Sequence, residues 1–293
     1  MEENIINITD SDIGSIINGD NIGAAESNDT ELTESTTPTD SALSHKFDAD
    51  IKRLNIMNEF RDEQYLRFKG ADWFNSFMYK NLTIIGAGGI SSWAAIILSR
   101  LRFMKIDVYD GGIVEVKNMS GQMFTRGDIG KPKSYAVVDN VRLFNWDDVC
   151  ICGSPCNLDE MSPYGSYDIV VCGVDNMRSR RRIFESFKNT KIFFIDGRLS
   201  ADFLQILAFD MYDTDAVNKY EEMFLFDDSE ADETPCSFKQ TTYMASMIGS
   251  LIGNIVVNRV NNMKSVFEYN VPFYTEFNPI SMRMKTLTCY DCK

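Results

Sequence analysis

The run Asn81-Leu-Thr-Ile-Ile-Gly86-Ala-Gly88-Gly89-Ile-Ser91-Ser92 has the chemistry of an anion site. An apolar strand enters a glycine-rich turn, and an apolar helix follows from about Ile90 to Leu101. Gly86 permits a sharp turn, and Gly88 lets the main chain approach a phosphate. The first N–H groups of the helix then face the negative charge. A dinucleotide-binding fingerprint would carry glycine where this chain has Ser91. Asp110 stands 24 residues beyond Gly86, at the end of a second predicted strand, where an acid normally hydrogen-bonds a ribose. Nicotinamide and ATP sites both use that device. These residues alone therefore leave both cofactors open, together with a glycine turn of purely structural purpose.

The elements that must position them alternate along the chain. Apolar runs predict strands at Asn81–Ile85, Lys105–Tyr109, Cys150–Cys152, Tyr167–Cys172, Lys191–Ile195 and Phe203–Phe209. Helices are predicted over Arg61–Tyr79, Pro132–Asn145, Asn176–Lys188 and Gln240–Val260. The last of these carries Ala245, Ser246, Gly249, Ser250 and Gly253, small residues suited to close packing. Residues 213–235 read as an acidic loop or partial helix, and Phe267–Thr288 as a hairpin. Strands alternating with helices imply an α/β fold with a doubly wound, mostly parallel, Rossmann-like sheet and a C-terminal β extension.

The chain has 293 residues and a net charge of −14, which argues against nonspecific nucleic-acid binding. The charge is uneven. Residues 1–45 hold ten acids and no Lys or Arg, and without them the remainder carries only −4. This tail is rich in Ser, Thr, Asn and Gly and lacks aromatics, so composition predicts disorder for 1–45 and one folded domain over 46–293. No run reaches the roughly 18 apolar residues of a membrane span. The acidic N-terminus has no basic signal-peptide region, and seven scattered cysteines form no obvious disulfide framework. The expectation is a cytoplasmic protein.

Beyond Asp110 the chain reads Gly-Gly-Ile-Val-Glu115-Val-Lys-Asn118-Met-Ser-Gly121-Gln122, then Asp128-Ile-Gly130-Lys131-Pro132-Lys133. Later it reads Cys172-Gly-Val-Asp175-Asn176-Met-Arg-Ser-Arg180. From about Phe60 to Val260 this resembles the adenylating domain of the ThiF/MoeB/HesA and ubiquitin-activating-enzyme superfamily, with the pieces in family order. The resemblance implies an enzyme that binds ATP and magnesium and activates a carboxylate as an acyl-adenylate. The usual carboxylate is the C-terminus of a ubiquitin-like protein, although a peptide terminus or a modified tRNA base is also known among relatives. It further implies that Gly86, Gly88 and Gly89 cradle the nucleotide and that Asp110 grips the ribose. Asn118, Gln122 and Asn176 would line the nucleotide, Lys133 would reach the phosphates, and Asp175 would hold magnesium, a hard ion that suits a carboxylate. Each has a bland alternative: a solvated helix-start lysine for Lys133, a helix N-cap for Asp175 and a turn former for Asn118. Arg61 nearly matches a family arginine that reaches the phosphates of a neighbouring subunit, which predicts a homodimer with composite sites.

Two departures stand out. The family commonly has an arginine three residues after the asparagine, and here that position is Gly121. Arg198, at the end of a predicted strand, is a candidate replacement, set against an Asp–Arg structural pair with Asp196. The second departure concerns cysteine. Only Cys289 and Cys292 form a Cys-x-x-Cys pair, so a zinc site would need Cys236 and one of Cys150, Cys152 or Cys156 to join them. Cys236 also resembles the loop thiol that takes the activated carboxylate in some relatives. The alternatives to an adenylating enzyme are a catalytically impaired scaffold that binds a ubiquitin-like partner and a nicotinamide-dependent oxidoreductase.

Overall fold

The structure is a computed structural model and describes residues 63–145, 149–156, 167–200, 203–226, 240–263 and 268–292. The acidic tail, Arg61 and Cys236 lie outside the described residues. Alternating apolar strands and helices build one eight-stranded sheet. Its strands are β1 (Asn81–Ile85), β2 (Lys105–Tyr109), β3 (Ile151–Ser154), β4 (Ile169–Cys172), β5 (Phe193–Ser200), β6 (Phe203–Asp210), β7 (Tyr274–Asn278) and β8 (Arg283–Leu287). The order is β3-β2-β1-β4-β5-β6-β7-β8. Strands β1 to β5 pair in parallel, whereas β6, β7 and β8 extend the sheet antiparallel. The predicted doubly wound α/β architecture is what forms, with the β extension at its C-terminal end.

Both faces of the sheet are covered, which is why its central strands carry buried apolar residues on both faces, as in Ile169–Cys172 of β4. Successive residues point to opposite faces. Ile84, Val171 and Ile195 pack with α1 (Gly89–Ser99), α2 (Lys133–Phe144) and the helix Thr242–Asn262. Their neighbours Ile85, Val170 and Phe194 pack with α3 (Met177–Phe187) and α4 (Thr214–Phe224). The long helix Thr242–Asn262, α5, lies directly on α1. A β-carbon on Gly249 would stand only 3.0 Å from the Ala94 nitrogen and the Trp93 Cβ. Two of the small residues noted in the sequence, Gly249 and Gly253, are thus the ones that let the helices meet; a β-carbon on Gly253 would stand 2.9 Å from Ile97 Cγ2.

Two predicted elements differ. The segment before β1 is a series of tight turns followed by a 3₁₀ helix, Phe74–Tyr79, and not one amphipathic helix. Its aromatics pack on each other, with Phe68 stacked on Trp73 at 5.6 Å and Tyr65 against Phe74 at 5.3 Å. Strand β5 runs on past Ile195 through Asp196, Gly197 and Arg198, because the charges in that stretch are paired inside the protein.

Asp196 is fully buried. Its Oδ1 accepts from Arg180 Nε at 2.6 Å, and its Oδ2 accepts from Arg198 Nε at 2.8 Å and from the Tyr220 hydroxyl at 2.9 Å. Burial alone would raise the pKa of this carboxyl, but the Arg180 and Arg198 guanidinium groups outweigh it and hold the acid ionised below the ordinary carboxylate range. Arg180 also donates to the carbonyls of Val174 at 2.6 Å and Gly197 at 3.2 Å, which pins the turn between β4 and α3. Removing one member of such a buried cluster leaves charge uncompensated. Arg180→Ala is therefore expected to cost about 3 kcal/mol, measured by denaturant unfolding. The Asp196 contribution is complete above its unfolded pKa of about 4 and fades as pH falls through the lower folded value. Wild-type stability should therefore drop below about pH 4, and Asp196→Asn should show a shallower acid-side loss, the remainder coming from carboxylates such as Asp128.

Candidate functional site

The sheet order reverses between β1 and β4, and the crevice at a reversal of this kind is where open α/β sheets bind ligands. The Gly86–Gly89 turn leaves β1 there. Gly86 has φ +86°, and a β-carbon on it would stand 3.0 Å from the carbonyl of Gly173, which follows β4. Gly86 N donates to the Tyr109 carbonyl at 2.8 Å, and Gly173 N donates to the Ile85 carbonyl at 2.9 Å, so three strand ends are held level. Gly88 is the N-cap of α1 and Gly89 its first residue. No side chain caps this helix, so its first N–H groups have no side-chain acceptor of their own. Ser91, in the third-glycine position, is fully buried against Gly173, and its hydroxyl has no partner.

Asp110 holds the turn from the β2 side. One carboxylate oxygen accepts from Ala87 N at 2.6 Å and the other from Gly112 N at 2.7 Å. The predicted ribose acid therefore also braces the glycine turn. Lys133 opens α2, its N donates to the Gly112 carbonyl at 2.9 Å, and its side-chain methylenes lie over Gly112 beside Asp110. Lys133 is positioned by a hub that carries no motif of its own. Buried Asp128 accepts from Thr125 N at 2.7 Å, Asn140 Nδ2 at 3.1 Å and Lys131 Nζ at 3.2 Å. Burial would raise the pKa of its carboxyl, but the bonds from Thr125, Asn140 and Lys131 prevail and lower it. The loop then pairs back, with Gly130 N donating to the Val114 carbonyl and Val114 N to that of Lys131.

The remaining candidates divide. Asn118 is buried and serves as the turn former foreseen as its alternative, since its Oδ1 accepts from Glu115 N at 2.8 Å. Next to Gly121, Gln122 has a buried Oε1 with no partner. Asp175 is exposed at the end of β4 and is not the helix N-cap. Asn176 has that role, accepting from Ser179 N at 2.8 Å, while its Nδ2 donates to Asp175 Oδ1 at 3.3 Å. Arg198 takes the structural pairing with Asp196. Its guanidinium also donates to the Phe224 carbonyl at 2.7 Å and stacks among Tyr220, Phe224 and Phe226, on the α3–α4 side of the sheet. The expectation that Arg198 replaces the arginine missing at Gly121 is corrected by these commitments.

The cysteines do not converge either. Cys150, Cys152 and Cys156 lie on or beside edge strand β3, whereas Cys289 and Cys292 follow β8 at the opposite edge. Seven interstrand spacings of about 4.8 Å separate those edges, so the first group does not complete a zinc site with the second. Among the described residues no group of three or more His, Cys, Asp or Glu is arranged to hold a metal, and no helix is long and apolar enough to cross a membrane.

Comparison with known proteins agrees with this geometry. A model of the ThiF family matches residues 64–293. Over 116 residues the chain is 29% identical to a probable molybdopterin-synthase adenylyltransferase of Porphyra purpurea, a match covering 36% of this chain and 28% of that protein. Over 119 residues it is 26% identical to the NEDD8-activating enzyme E1 catalytic subunit of Caenorhabditis elegans, covering 39% and 27% respectively. The chain thus spans less than a third of the length of these curated relatives. Among solved structures, E. coli MccB with ATP has a TM-score of 0.60 at 14% identity, over 74% of this chain and 66% of that one. At that identity the likeness is one of fold.

The Gly86 geometry gives a direct test. A left-handed φ and the close Gly173 backbone both oppose a side chain, so Gly86→Ala should lower stability by about 1–3 kcal/mol in denaturant unfolding. Gly70→Ala is the control: nothing lies within 4 Å of its β-carbon position. Its effect should stay within about 0.5 kcal/mol of neutral or be slightly stabilising.

Proposed function

This chain belongs to the ThiF family, and on that premise we propose that it is an ATP-dependent adenylyltransferase acting on a carboxylate. The observation that carries the reading is the convergence at the reversal of the sheet. An uncapped helix N-terminus, the Lys133 side chain beside Asp110, and the exposed Asp175 carboxylate all border the Gly86–Gly89 turn or the adjoining strand ends.

In the proposed reaction a carboxylate oxygen attacks the α-phosphorus of ATP, the bond to the bridging oxygen breaks, and pyrophosphate leaves. The nucleophile is ionised at neutral pH, so no general base is required. What the site must supply is in-line positioning and stabilisation of phosphate charge. The first N–H groups of α1 and the Lys133 ammonium supply the positive end, and Asp110 accepts from the ribose while bracing the turn. The donor chemistry at Asp175 fits magnesium, which is commonly held by one or two carboxylates together with substrate phosphates and not by a closed protein cage. Asp175 would hold the ion, with Asn176 fixing the adjoining turn, and the ion would neutralise phosphate charge.

The carboxylate is proposed to be the C-terminus of a ubiquitin-like protein or a peptide. That reading rests on the family and on a relative named as a NEDD8-activating subunit. The rest of the proposal is a homodimer in the cytoplasm in which Arg61 reaches the partner's phosphates, and a Cys236 thiol that accepts the activated acyl group.

The test is exchange of labelled pyrophosphate into ATP in the presence of candidate carboxylate partners. Asp175→Ala and Lys133→Ala should each reduce exchange about 10²–10³-fold. Exchange persisting in Asp175→Ala would overturn the magnesium assignment. The trans role of Arg61 is tested by mixing Arg61→Ala with Asp175→Ala protein. Subunit exchange in a composite-site dimer should restore about a quarter of wild-type activity, because half of the dimers then carry one intact site. No recovery, with the mixed dimer verified by mass spectrometry, would put Arg61 outside the site.

A further inference from the structure

The space left by the small residue at Gly121 is filled from another part of the chain. Gln240, which precedes α5, extends its side chain between Gly89 and Gly121. A β-carbon on Gly121 would stand 2.9 Å from Gln240 Cγ and 3.0 Å from both Cδ and Nε2. A β-carbon on Gly89 would overlap Gln240 Oε1 and stand 2.9 Å from Cδ. The carboxamide thus rests on the first residue of α1, at the uncapped helix end that faces the crevice.

The surrounding backbone is fixed for this purpose. Trp93 Nε1 donates to the Gly121 carbonyl at 3.0 Å, Ser92 Oγ accepts from Met123 N at 2.9 Å, and Thr242 Oγ1 donates to the Ser120 carbonyl at 2.6 Å. These bonds tie the loop carrying Gly121 to both α1 and α5, so the slot between the two glycines has fixed walls. Among the described residues the Gln240 carboxamide makes no hydrogen bond. It is a polar group held in position with its donors unused, and the buried Gln122 Oε1 beside Gly121 is likewise without a partner.

We propose that Gln240 contacts the phosphate chain of the bound nucleotide, donating from Nε2 as a neutral substitute for the cationic side chain absent at residue 121. The proposal rests on the adenylyltransferase reading and adds to it a specific phosphate contact. It also assigns a purpose to the two glycines, since a side chain at either would expel the amide.

The experiment is isothermal titration of full-length protein with MgATP and, separately, with adenosine. The variants are Gln240→Ala, Gln240→Glu, Gly121→Ala and the double variant Gln240→Ala/Gly121→Ala, each checked for an unchanged unfolding midpoint. A hydrogen bond to a charged acceptor corresponds to a loss of about 10–100-fold when removed. Gln240→Ala should weaken MgATP binding about 10-fold, and the isosteric Gln240→Glu about 100-fold, because a carboxylate then faces the phosphates. Gly121→Ala should match Gln240→Ala, and the double variant should lose no more than either alone, since both act through the same amide. Adenosine affinity should be unchanged throughout.

Equal loss for adenosine and MgATP would mean a structural role for Gln240 and overturn the proposal. Unchanged MgATP affinity in Gln240→Glu would also overturn it, and so would tighter binding in Gln240→Ala, which would mark Gln240 as an obstruction. All three results leave the adenylyltransferase reading standing. Wild-type protein that fails to bind MgATP would remove both.

Discussion

Everything in the crevice depends on how closely two main chains approach where the sheet reverses. Gly86 leaves β1 in a left-handed conformation with its α-carbon against the Gly173 backbone at the end of β4. A β-carbon on Gly86 would force the strand ends apart. Without that approach the turn could not swing α1 so that its N-terminus faces the crevice, and the free N–H groups would point elsewhere. The constraint also explains why Asp110 matters twice. Its two oxygens accept from Ala87 N and Gly112 N, so the acid that suits a ribose first holds the β1 turn to the end of β2. Turn, acid and lysine share one scaffold, because Lys133 N donates to the same Gly112.

Two buried carboxylates do for the loops what hydrophobic packing does for the strands. Asp128 gathers Thr125, Lys131 and Asn140, and so presents Lys133 at the start of α2. Asp196 gathers Arg180, Arg198 and Tyr220, and through Arg180 it holds the Val174 carbonyl one residue ahead of Asp175. An ionised group in the interior is stable only when its partners are fixed, and fixed partners make the attached loops rigid. The arrangement therefore gives preorganisation at both edges of the turn without adding charge to the crevice itself. Arg198 is held away from the crevice because its Nε donates to Asp196 and its Nη2 to the Phe224 carbonyl.

Much of the fold was legible in the chain. Near-continuous apolar runs such as Leu82–Ile85 and Ile169–Cys172 bury both faces, as strands of a covered parallel sheet do. The first two strands accordingly begin and end where the sequence put them. Asp196 and Arg198 hid the second half of β5, since charge in a strand reads as an end unless its partner is known. Gly70 and the crowded aromatics before β1 were read as helix because their spacing is helical, yet ring-on-ring packing favoured tight turns. The placement of the glycine turn and Asp110 at strand ends and of Lys133 at a helix start follows from order and spacing, because each lies next to the end of its own element. Asp175 follows β4 as its order in the chain implies, and the helix N-cap is the next residue, Asn176.

The sequence by itself determined the alternation of strands and helices, the glycine turn after β1 and the acid after β2, because these are local: each depends on residues within one turn or one strand of its neighbours. Tertiary structure decided which side chains share the crevice. Gln240 lies 151 residues beyond Gly89 in the chain, yet it rests on that glycine because α5 packs along α1 and the loop at Gly121 is tied to both. Arg198 is two residues from Asp196, so strand alternation puts both on the α3–α4 face of the sheet, where the buried acid takes up the guanidinium. Contacts between distant segments depend on the packing angle of whole elements, and no spacing of residues along the chain encodes that angle.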